Sequence, residues 1–324
     1  MLNDQTFSDI YLGESASWLA GVPGKLDPVP APFDCEADLA GLRVACDEFV
    51  KEKKKDEFTV RYGNVAYRVS ILRSLAEIVY VLRRFPAVVP GLDTLGIHQA
   101  YIDMLMTPRL TGLMVVAGAF GQGKTTTASS MITARLSKYG GVGVTIEDPP
   151  EMPLEGKHGE GVCYQTWAEQ GGFGHACRQV ARWAPSIIFV GEIRDPETAS
   201  EALRASINGR LVVCTTHADN AVMAVERLFA LANGAAGNAE DVASLLAGGL
   251  VGVLHQRLES ATEDGKKRPK VGFLWLNGDE AHGPRNNIRK RQFQQLHNDV
   301  QAQRNRLIMG RSTNTNPAAA ATGR

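Results

Sequence analysis

One segment of the chain, GAFGQGKTTT at residues 118–127, has the spacing G-x-x-x-x-G-K-[ST] of a phosphate-binding loop. Gly118, Gly121 and Gly123 leave room for backbone N–H groups to surround phosphate oxygens, because glycine has no Cβ. Lys124 would reach the β- and γ-phosphates, and the Thr125 hydroxyl would ligate Mg²⁺. The segment therefore predicts a nucleotide site that also holds a magnesium ion.

Three further polar residues, Glu147, Glu192 and His217, each follow an apolar segment that is predicted to be a strand. In open parallel sheets, ligands bind beyond the carboxyl ends of the strands, so we expect these side chains at the edge that carries the glycine loop. Phosphoryl transfer requires one group near the metal, one that positions or deprotonates water, and one that senses the γ-phosphate. The three residues together predict such a catalytic set.

The segments around these residues alternate between apolar strands and helices from residue 95 onward, which favours a parallel sheet with crossover helices. Predicted strands lie at residues 113–117, 142–147, 186–192, 211–215 and 271–276. Predicted helices lie at residues 124–139, 196–208, 221–232, 241–258 and 286–307. We assign residues 91–310 to this α/β domain, and the low content of large apolar residues predicts disorder in the tail, 311–324.

The first 90 residues predict a separate, smaller domain of mixed α/β structure. Residues 58–62 and 65–71 alternate well enough between apolar and polar side chains to be strands. The spacing of apolar residues predicts a helix over 74–85. Prolines and a glycine within residues 86–91 then mark the boundary between the two domains.

Composition narrows the possible functions. The 324 residues are 44% hydrophobic and 22% charged, an ordinary globular mixture that excludes wholesale disorder. Lys and Arg together number 35, as do Asp and Glu, so the net charge gives no reason to expect a nucleic-acid-binding protein. Basic residues do outnumber acidic ones over residues 265–311, and this segment keeps a nucleic-acid translocase open as an alternative.

The cysteines and the hydropathy pattern predict a cytoplasmic location. The five cysteines are scattered and form no C-x-x-C pair, so neither a zinc site nor a disulfide framework is expected, and reduced thiols are the simplest interpretation. No apolar run approaches the length of a membrane span, and the start of the chain lacks the pattern of a signal peptide. Any membrane association is therefore expected to be peripheral or through a partner.

Four segments together resemble the secretion ATPases, a superfamily of hexameric motors of type II and type IV secretion, conjugation and type IV pili. The segments similar to its Walker A, Asp box, Walker B and His box are, in that order, GAFGQGKTTT, TIEDPPE (145–151), IIFVGEIRDPETA (187–199) and GRLVVCTTHADNA (209–221). The resemblance extends from about residue 8 to residue 307, nearly the whole chain.

Within this superfamily, different segments resemble different branches. FSDIYLG (7–13), VLRRFP (81–86) and part of PRNNIRK (284–290) are similar to the pilus-retraction ATPases. The Asp box reads E-D-P-P-E instead of the E-D-P-I-E of pilus motors, and C-T-T-H-A-D-N-A resembles the His boxes of conjugation and type IV secretion ATPases. Retraction, secretion and conjugative transfer thus all remain open.

The resemblance implies a PAS-like N-terminal domain and a RecA-like P-loop domain that binds ATP and Mg²⁺. Glu192 would hold the Mg²⁺ shell through water and Glu147 would position or activate the attacking water, although the family leaves these two roles exchangeable. His217 would couple the γ-phosphate to the subunit contact. The implied nucleotide-binding residues of the loop are Gly118, Gly121, Gln122, Gly123, Lys124, Thr125 and Thr126.

The resemblance also implies an assembly and a partner. Arg68 and Arg83 of the N-terminal domain would complete the nucleotide site across domains or subunits of a homohexamer. Such an arginine stabilises charge on the transferring phosphoryl group and links catalysis to assembly. The motor would act from the cytoplasm on an inner-membrane platform protein, and nucleic acid is not an expected partner.

Overall fold

The computed structural model describes residues 1–63, 65–168, 172–260 and 267–312. The chain divides into two compact units, one made of residues 1–88 with 149–153 and the other of residues 89–148 with the chain from 154 onward. Residues 313–324, most of the tail for which the sequence predicts disorder, lie outside the described residues. Arg311 and Ser312 instead belong to the last helix.

The first unit is an antiparallel sheet with one long helix. Its elements are β1 (Asp9–Leu12), β2 (Ser17–Ala20), β3 (Val29–Pro30), α1 (Glu36–Lys53), β4 (Glu57–Tyr62), β5 (Val65–Arg73) and β6 (Ile78–Arg84), with 3₁₀ turns at Leu2–Asp4 and Phe33–Cys35. The strand order is β3-β2-β1-β6-β5-β4. Leu42 and Cys46 of α1 are fully buried in one cluster with Phe58, Tyr67 and Leu82 of the sheet. This shared core makes the unit a mixed α/β domain, as the sequence predicts.

The predicted helix over 74–85 is wrong, because this segment forms a turn and then strand β6. The Ser74 hydroxyl donates to the carbonyl oxygen of Glu77 and accepts from its N–H, at 2.8 and 3.0 Å, which closes the turn between β5 and β6. β6 then lies between β1 and β5 and pairs with both. Two long-range partners and β-branched side chains outweigh the helical spacing of the apolar residues.

The second unit is built on a larger, mainly parallel sheet. Its first elements are α2 (Gln99–Leu105), β7 (Gly112–Ala117), α3 (Lys124–Tyr139), β8 (Gly141–Glu147), β9 (Gly156–His158), β10 (Gly161–Trp167), α4 (Gly172–Arg182) and β11 (Ile187–Val190). They are followed by α5 (Pro196–Ser206), β12 (Leu211–Thr216), α6 (Ala221–Ala236), α7 (Ala239–Gly249), β13 (Leu250–Ser260), β14 (Lys267–Trp275), α8 (His282–Arg289) and α9 (Leu296–Ser312). Three 3₁₀ turns lie at Leu92–Thr94, Asp279–Ala281 and Phe293–Gln295.

The strand order of this sheet is β14-β13-β7-β12-β11-β8-β10-β9. Neighbouring strands from β13 to β10 are parallel, and only the outer pairs β13–β14 and β10–β9 are antiparallel. Every residue of β7 and β12 is buried, which explains the apolar runs within these two segments. The predicted α/β class with a mainly parallel sheet is confirmed.

Two predicted helices of this unit need correction. The first half of the segment 241–258 lies in α7, which ends at Gly249, and its second half is β13, which pairs with β7 and β14. The segment 286–307 is two helices, α8 and α9, separated at a left-handed residue, Arg291, with φ of 58°. Among the described helices, none is both long enough and apolar enough to cross a bilayer.

Candidate nucleotide-binding site

The predicted phosphate-binding loop connects the buried strand β7 to helix α3. Gly121 and Gly123 have φ of 71° and 74°, a left-handed conformation that favours glycine. A Cβ on Gly118 would lie 2.5 Å from the carbonyl oxygen of Gln256, so no larger residue fits there. The loop therefore has the open backbone that a phosphate cradle needs, and the positive end of the α3 dipole faces it.

Strand β13 supports this loop from the side. The Gln256 side-chain amide donates to the backbone oxygen of Gln122 at 2.5 Å, and the Gln122 side-chain oxygen accepts from the N–H of Leu258 at 2.7 Å. The side chain of Gln122 therefore contacts β13, and its backbone is the part that lies in the loop. Since the sequence predicts a helix at Gln256, it gives no signal for this support.

Lys124 is 8% exposed and lies at the first position of α3. Its Nζ donates to the carbonyl oxygen of Ala119 at 2.9 Å, so the ammonium group lies across the loop. Thr125 and Thr126 follow in the first turn of the same helix. The sequence-predicted loop residues are thus gathered at one helix N-terminus, where phosphate oxygens and a cation can be bound together.

Glu192 and His217 come together at the ends of neighbouring strands. His217 directly follows β12, and Glu192 lies two residues after β11. Their closest atoms, His217 Nε2 and Glu192 Oε1, are 3.0 Å apart. This is an ion-pair distance, yet Glu192 Oε1 is buried and has no hydrogen-bond partner of acceptable geometry. A buried carboxylate oxygen without a hydrogen bond fits an acceptor for a metal-bound water, so the residues present are compatible with Mg²⁺.

The other oxygen of Glu192 is held by Arg194. The Arg194 guanidinium donates from Nε to Glu192 Oε2 at 2.7 Å, and the Glu192 side chain is only 14% exposed. The arginine is supplied by the same chain, two residues later. The Glu192 carboxylate is thus held at the sheet edge between a guanidinium and an imidazole.

The imidazole of His217 lies between Glu192 and an aromatic ring. Burial, followed by the positive charge of Lys124, lowers the pKa of His217, although Glu192 acts in the opposite direction. Its ring is parallel to that of Phe120, with the centroids 6.4 Å apart. His217 is therefore neutral at pH 7 and can both donate and accept a hydrogen bond near the loop.

Glu147, the last residue of β8, is 2% exposed. The side-chain amide of Gln165, on the adjacent strand β10, donates to Glu147 Oε1 at 3.1 Å. A Cβ on Gly191 would approach Glu147 Cγ to 3.3 Å, so the glycine before Glu192 leaves room for this side chain. β8 and β11 are paired neighbours, which places Glu147 and Glu192 at the same edge of the sheet.

Arg68 and Arg83, the predicted contributors from the N-terminal domain, are cross-strand partners on β5 and β6. Arg68 pairs with Glu57 at 3.3 Å and with Glu151 at 3.5 Å. Arg83 pairs with Asp9 at 2.7 Å. Both arginines thus have acidic partners within their own unit, and their role toward a nucleotide remains a prediction.

His255, on β13 opposite Ala117 of β7, provides a test of the packing beside the loop. Burial lowers the pKa of this imidazole, against a smaller opposite effect of Asp219. Folding thus favours the neutral ring, and its contribution to stability is complete above the unfolded pKa of about 6.5 and declines as the pH falls below it. We expect the melting temperature of the wild type to be lower at pH 5.5 than at pH 7.5. The decrease should be smaller in His255→Gln. If thermal melts show the same decrease in melting temperature for both proteins, burial of a neutral His255 does not contribute to the pH dependence of stability.

Taken together, a glycine loop between a buried strand and a helix, with carboxylates and an imidazole on the neighbouring strands, defines a P-loop nucleotide-binding domain. Residues 50–316 match the family described as type II/IV secretion system protein, and the chain belongs to that family. The resemblance stated from the sequence motifs is thereby confirmed. Membership in this ATPase family implies nucleotide binding.

The relatives include pilus and secretion proteins. The chain is 31% identical to the Escherichia coli uncharacterized protein YggR over 84% of this chain and 85% of that protein. It is 31% identical to a Neisseria gonorrhoeae twitching motility protein over 76% of this chain and 64% of that protein. It is 33% identical to the Pseudomonas aeruginosa type IV pilus retractation ATPase PilT, over 55% of this chain and 52% of that one.

Solved structures show the same two-part architecture. A crystal structure of the pilus retraction motor PilT with bound ADP superimposes with a TM-score of 0.76 at 27% identity, covering 93% of this chain and 87% of that one. The Legionella pneumophila ATPase DotB has a TM-score of 0.71 at 21% identity, covering 92% and 85%, and shows the fold. The chain therefore shares its fold with both of these ATPases.

Proposed function

We propose that this chain is an ATP-hydrolysing motor that works as a cytoplasmic homohexamer and powers type IV pilus dynamics, secretion or conjugative transfer through an inner-membrane platform protein. The observation that carries the proposal is the convergence of the glycine loop, Glu147, Glu192 and His217 on one edge of four neighbouring parallel strands. The similarity to the pilus retraction motor PilT, solved with bound ADP, supports this assignment.

In this proposal each site residue has a separate task. The loop amides and Lys124 bind and orient the phosphates, and the neutral His217 senses the terminal one. Glu147, held in a fixed orientation, accepts the proton of the attacking water. Thr125 and Glu192 would hold Mg²⁺, which would neutralise part of the charge that develops on the phosphate oxygens.

The N-terminal domain is proposed to act through assembly. Arg68 and Arg83 would supply positive charge to the nucleotide of a neighbouring subunit, which requires them to exchange their acidic partners Glu57, Glu151 and Asp9 for phosphate oxygens. Such an exchange would link ATP binding to movement of a domain. The movement would be transmitted to the platform protein.

Steady-state phosphate release from the purified chain tests the proposal. We expect continuous, magnesium-dependent turnover of ATP, with little change on addition of single- or double-stranded DNA. The balanced charge of 35 basic and 35 acidic residues also predicts little binding to random duplex DNA at physiological salt. Sub-micromolar, steeply salt-dependent DNA affinity with stimulated turnover would instead favour a nucleic-acid translocase acting through residues 265–311.

A further inference from the structure

Gln165 contacts the buried Glu147 and also makes hydrogen bonds to Leu154 and Glu155. Its side-chain oxygen accepts from the N–H groups of Leu154 and Glu155, each at 3.0 Å. Its backbone N–H donates to a carboxylate oxygen of Glu155 at 2.5 Å. Because two backbone donors face the side-chain oxygen, the amide nitrogen of Gln165 must face Glu147, to which it donates at 3.1 Å.

The place of Gln165 in the sheet explains its reach. β10 runs parallel to β8, with Gln165 beside Thr145 and Trp167 beside Glu147. The Gln165 side chain therefore extends along the strand direction toward the carboxyl edge, where Glu147 ends β8. The loop that follows Glu147 ends at Leu154 and Glu155, directly before β9, so the Gln165 side chain contacts the chain before and after this loop.

We propose that Gln165 is a positioning residue for hydrolysis, which sets the orientation of the Glu147 carboxylate toward the attacking water. The inference rests on the proposed function, in which Glu147 accepts the proton of that water. At 2% exposure, Glu147 has little solvent to orient it, so a protein donor must do so. Displacement of a catalytic group by about 1 Å can lower the rate by as much as roughly 100-fold.

Two substitutions distinguish the contact of Gln165 with Glu147 from its contacts with the backbone N–H groups of Leu154 and Glu155. Gln165→Glu keeps an oxygen that can accept from the Leu154 and Glu155 amides, but it removes the donor to Glu147 and places a second carboxylate there. Gln165→Met removes both functions without adding charge. We expect both variants to lower kcat by roughly 10- to 100-fold, with the KM for ATP within about threefold of the wild type.

Gln292→Met is the matched control, because Gln292 is an exposed glutamine between α8 and α9 and the same substitution there is remote from the contacts of Gln165. It should leave kcat unchanged, and thermal melts should show that the variants fold. If Gln165→Glu has the kcat of the wild type and Gln165→Met has a reduced kcat, Gln165 acts only by holding the backbone at Leu154 and Glu155. That result would overturn the inference. If Gln165→Met does not fold, Gln165→Glu decides by itself. A wild-type chain without ATP turnover would overturn the proposed function, and this inference with it.

Discussion

Replacement of Lys124 by Ala is expected to abolish ATP hydrolysis while the fold is retained. The Lys124 ammonium lies across the glycine loop, 2.9 Å from the carbonyl oxygen of Ala119, and its side chain is almost fully buried. With a triphosphate bound, this charge would move to the β- and γ-phosphate oxygens and stabilise the charge that builds up during transfer. Loss of one such preorganised donor typically lowers kcat by about 100- to 1,000-fold. Phosphate release at saturating Mg²⁺ and ATP measures the effect.

Lys138→Ala provides the matched control for this experiment. Lys138 is an exposed lysine in the last turn of the same helix, α3, at the end opposite the loop. It should retain wild-type turnover, and both variants should have the melting temperature of the wild type within a few degrees. Turnover of Lys124→Ala within about tenfold of the wild type would show that hydrolysis takes place elsewhere.

The phosphate-binding loop and the strands beside it could be predicted because their signals are local. β7 and β12 are buried along their whole length, so their apolar runs are visible without any knowledge of neighbours. The loop itself needs glycines at fixed positions because of its backbone conformation. Once the strands are assigned, the shared edge of a parallel sheet places Glu147, Glu192 and His217 near one another.

The elements that were predicted wrongly depend on partners far away in the chain. β6 has apolar residues at helical spacing, yet Tyr80 and Leu82 alternate inward because the strand pairs with β1 and β5. β13 continues directly from α7, and only its pairing with β7 and β14 makes it a strand. Short-range periodicity carries no information about such pairings.

The residues that support the site were harder to find for the same reason. Gln165 and Gln256 are polar residues inside strands, and nothing in their local sequence distinguishes them from exposed positions. Their roles follow from contacts with Glu147 and with the loop at Gln122, which lie 18 and 134 residues away in the chain. Motifs therefore predict which groups act on a substrate, whereas the three-dimensional structure shows which groups contact them.

Substitution of the two glutamates by glutamine is expected to separate their roles. Glu147→Gln removes the base that accepts a proton from water, and should lower kcat by roughly 100- to 10,000-fold without changing the Mg²⁺ dependence. Glu192→Gln weakens the acceptor for metal-bound water, and should raise the Mg²⁺ concentration for half-maximal turnover by roughly 10- to 100-fold. Both changes are isosteric, so packing at the sheet edge is preserved. Turnover measured across a Mg²⁺ titration gives both quantities.

Glu160→Gln serves as the control for these two variants, since Glu160 is an exposed glutamate in the turn between β9 and β10. Two observations support the proposed division of roles. Glu147 accepts a hydrogen bond from the neutral amide of Gln165. Glu192 instead lies between Arg194 and His217, and one of its buried oxygens has no hydrogen bond. The reverse pattern, with altered Mg²⁺ dependence in Glu147→Gln alone, would exchange the two roles and remove the basis for Gln165 as a positioning residue. Turnover within tenfold of the wild type in both variants would show that neither glutamate takes part in hydrolysis.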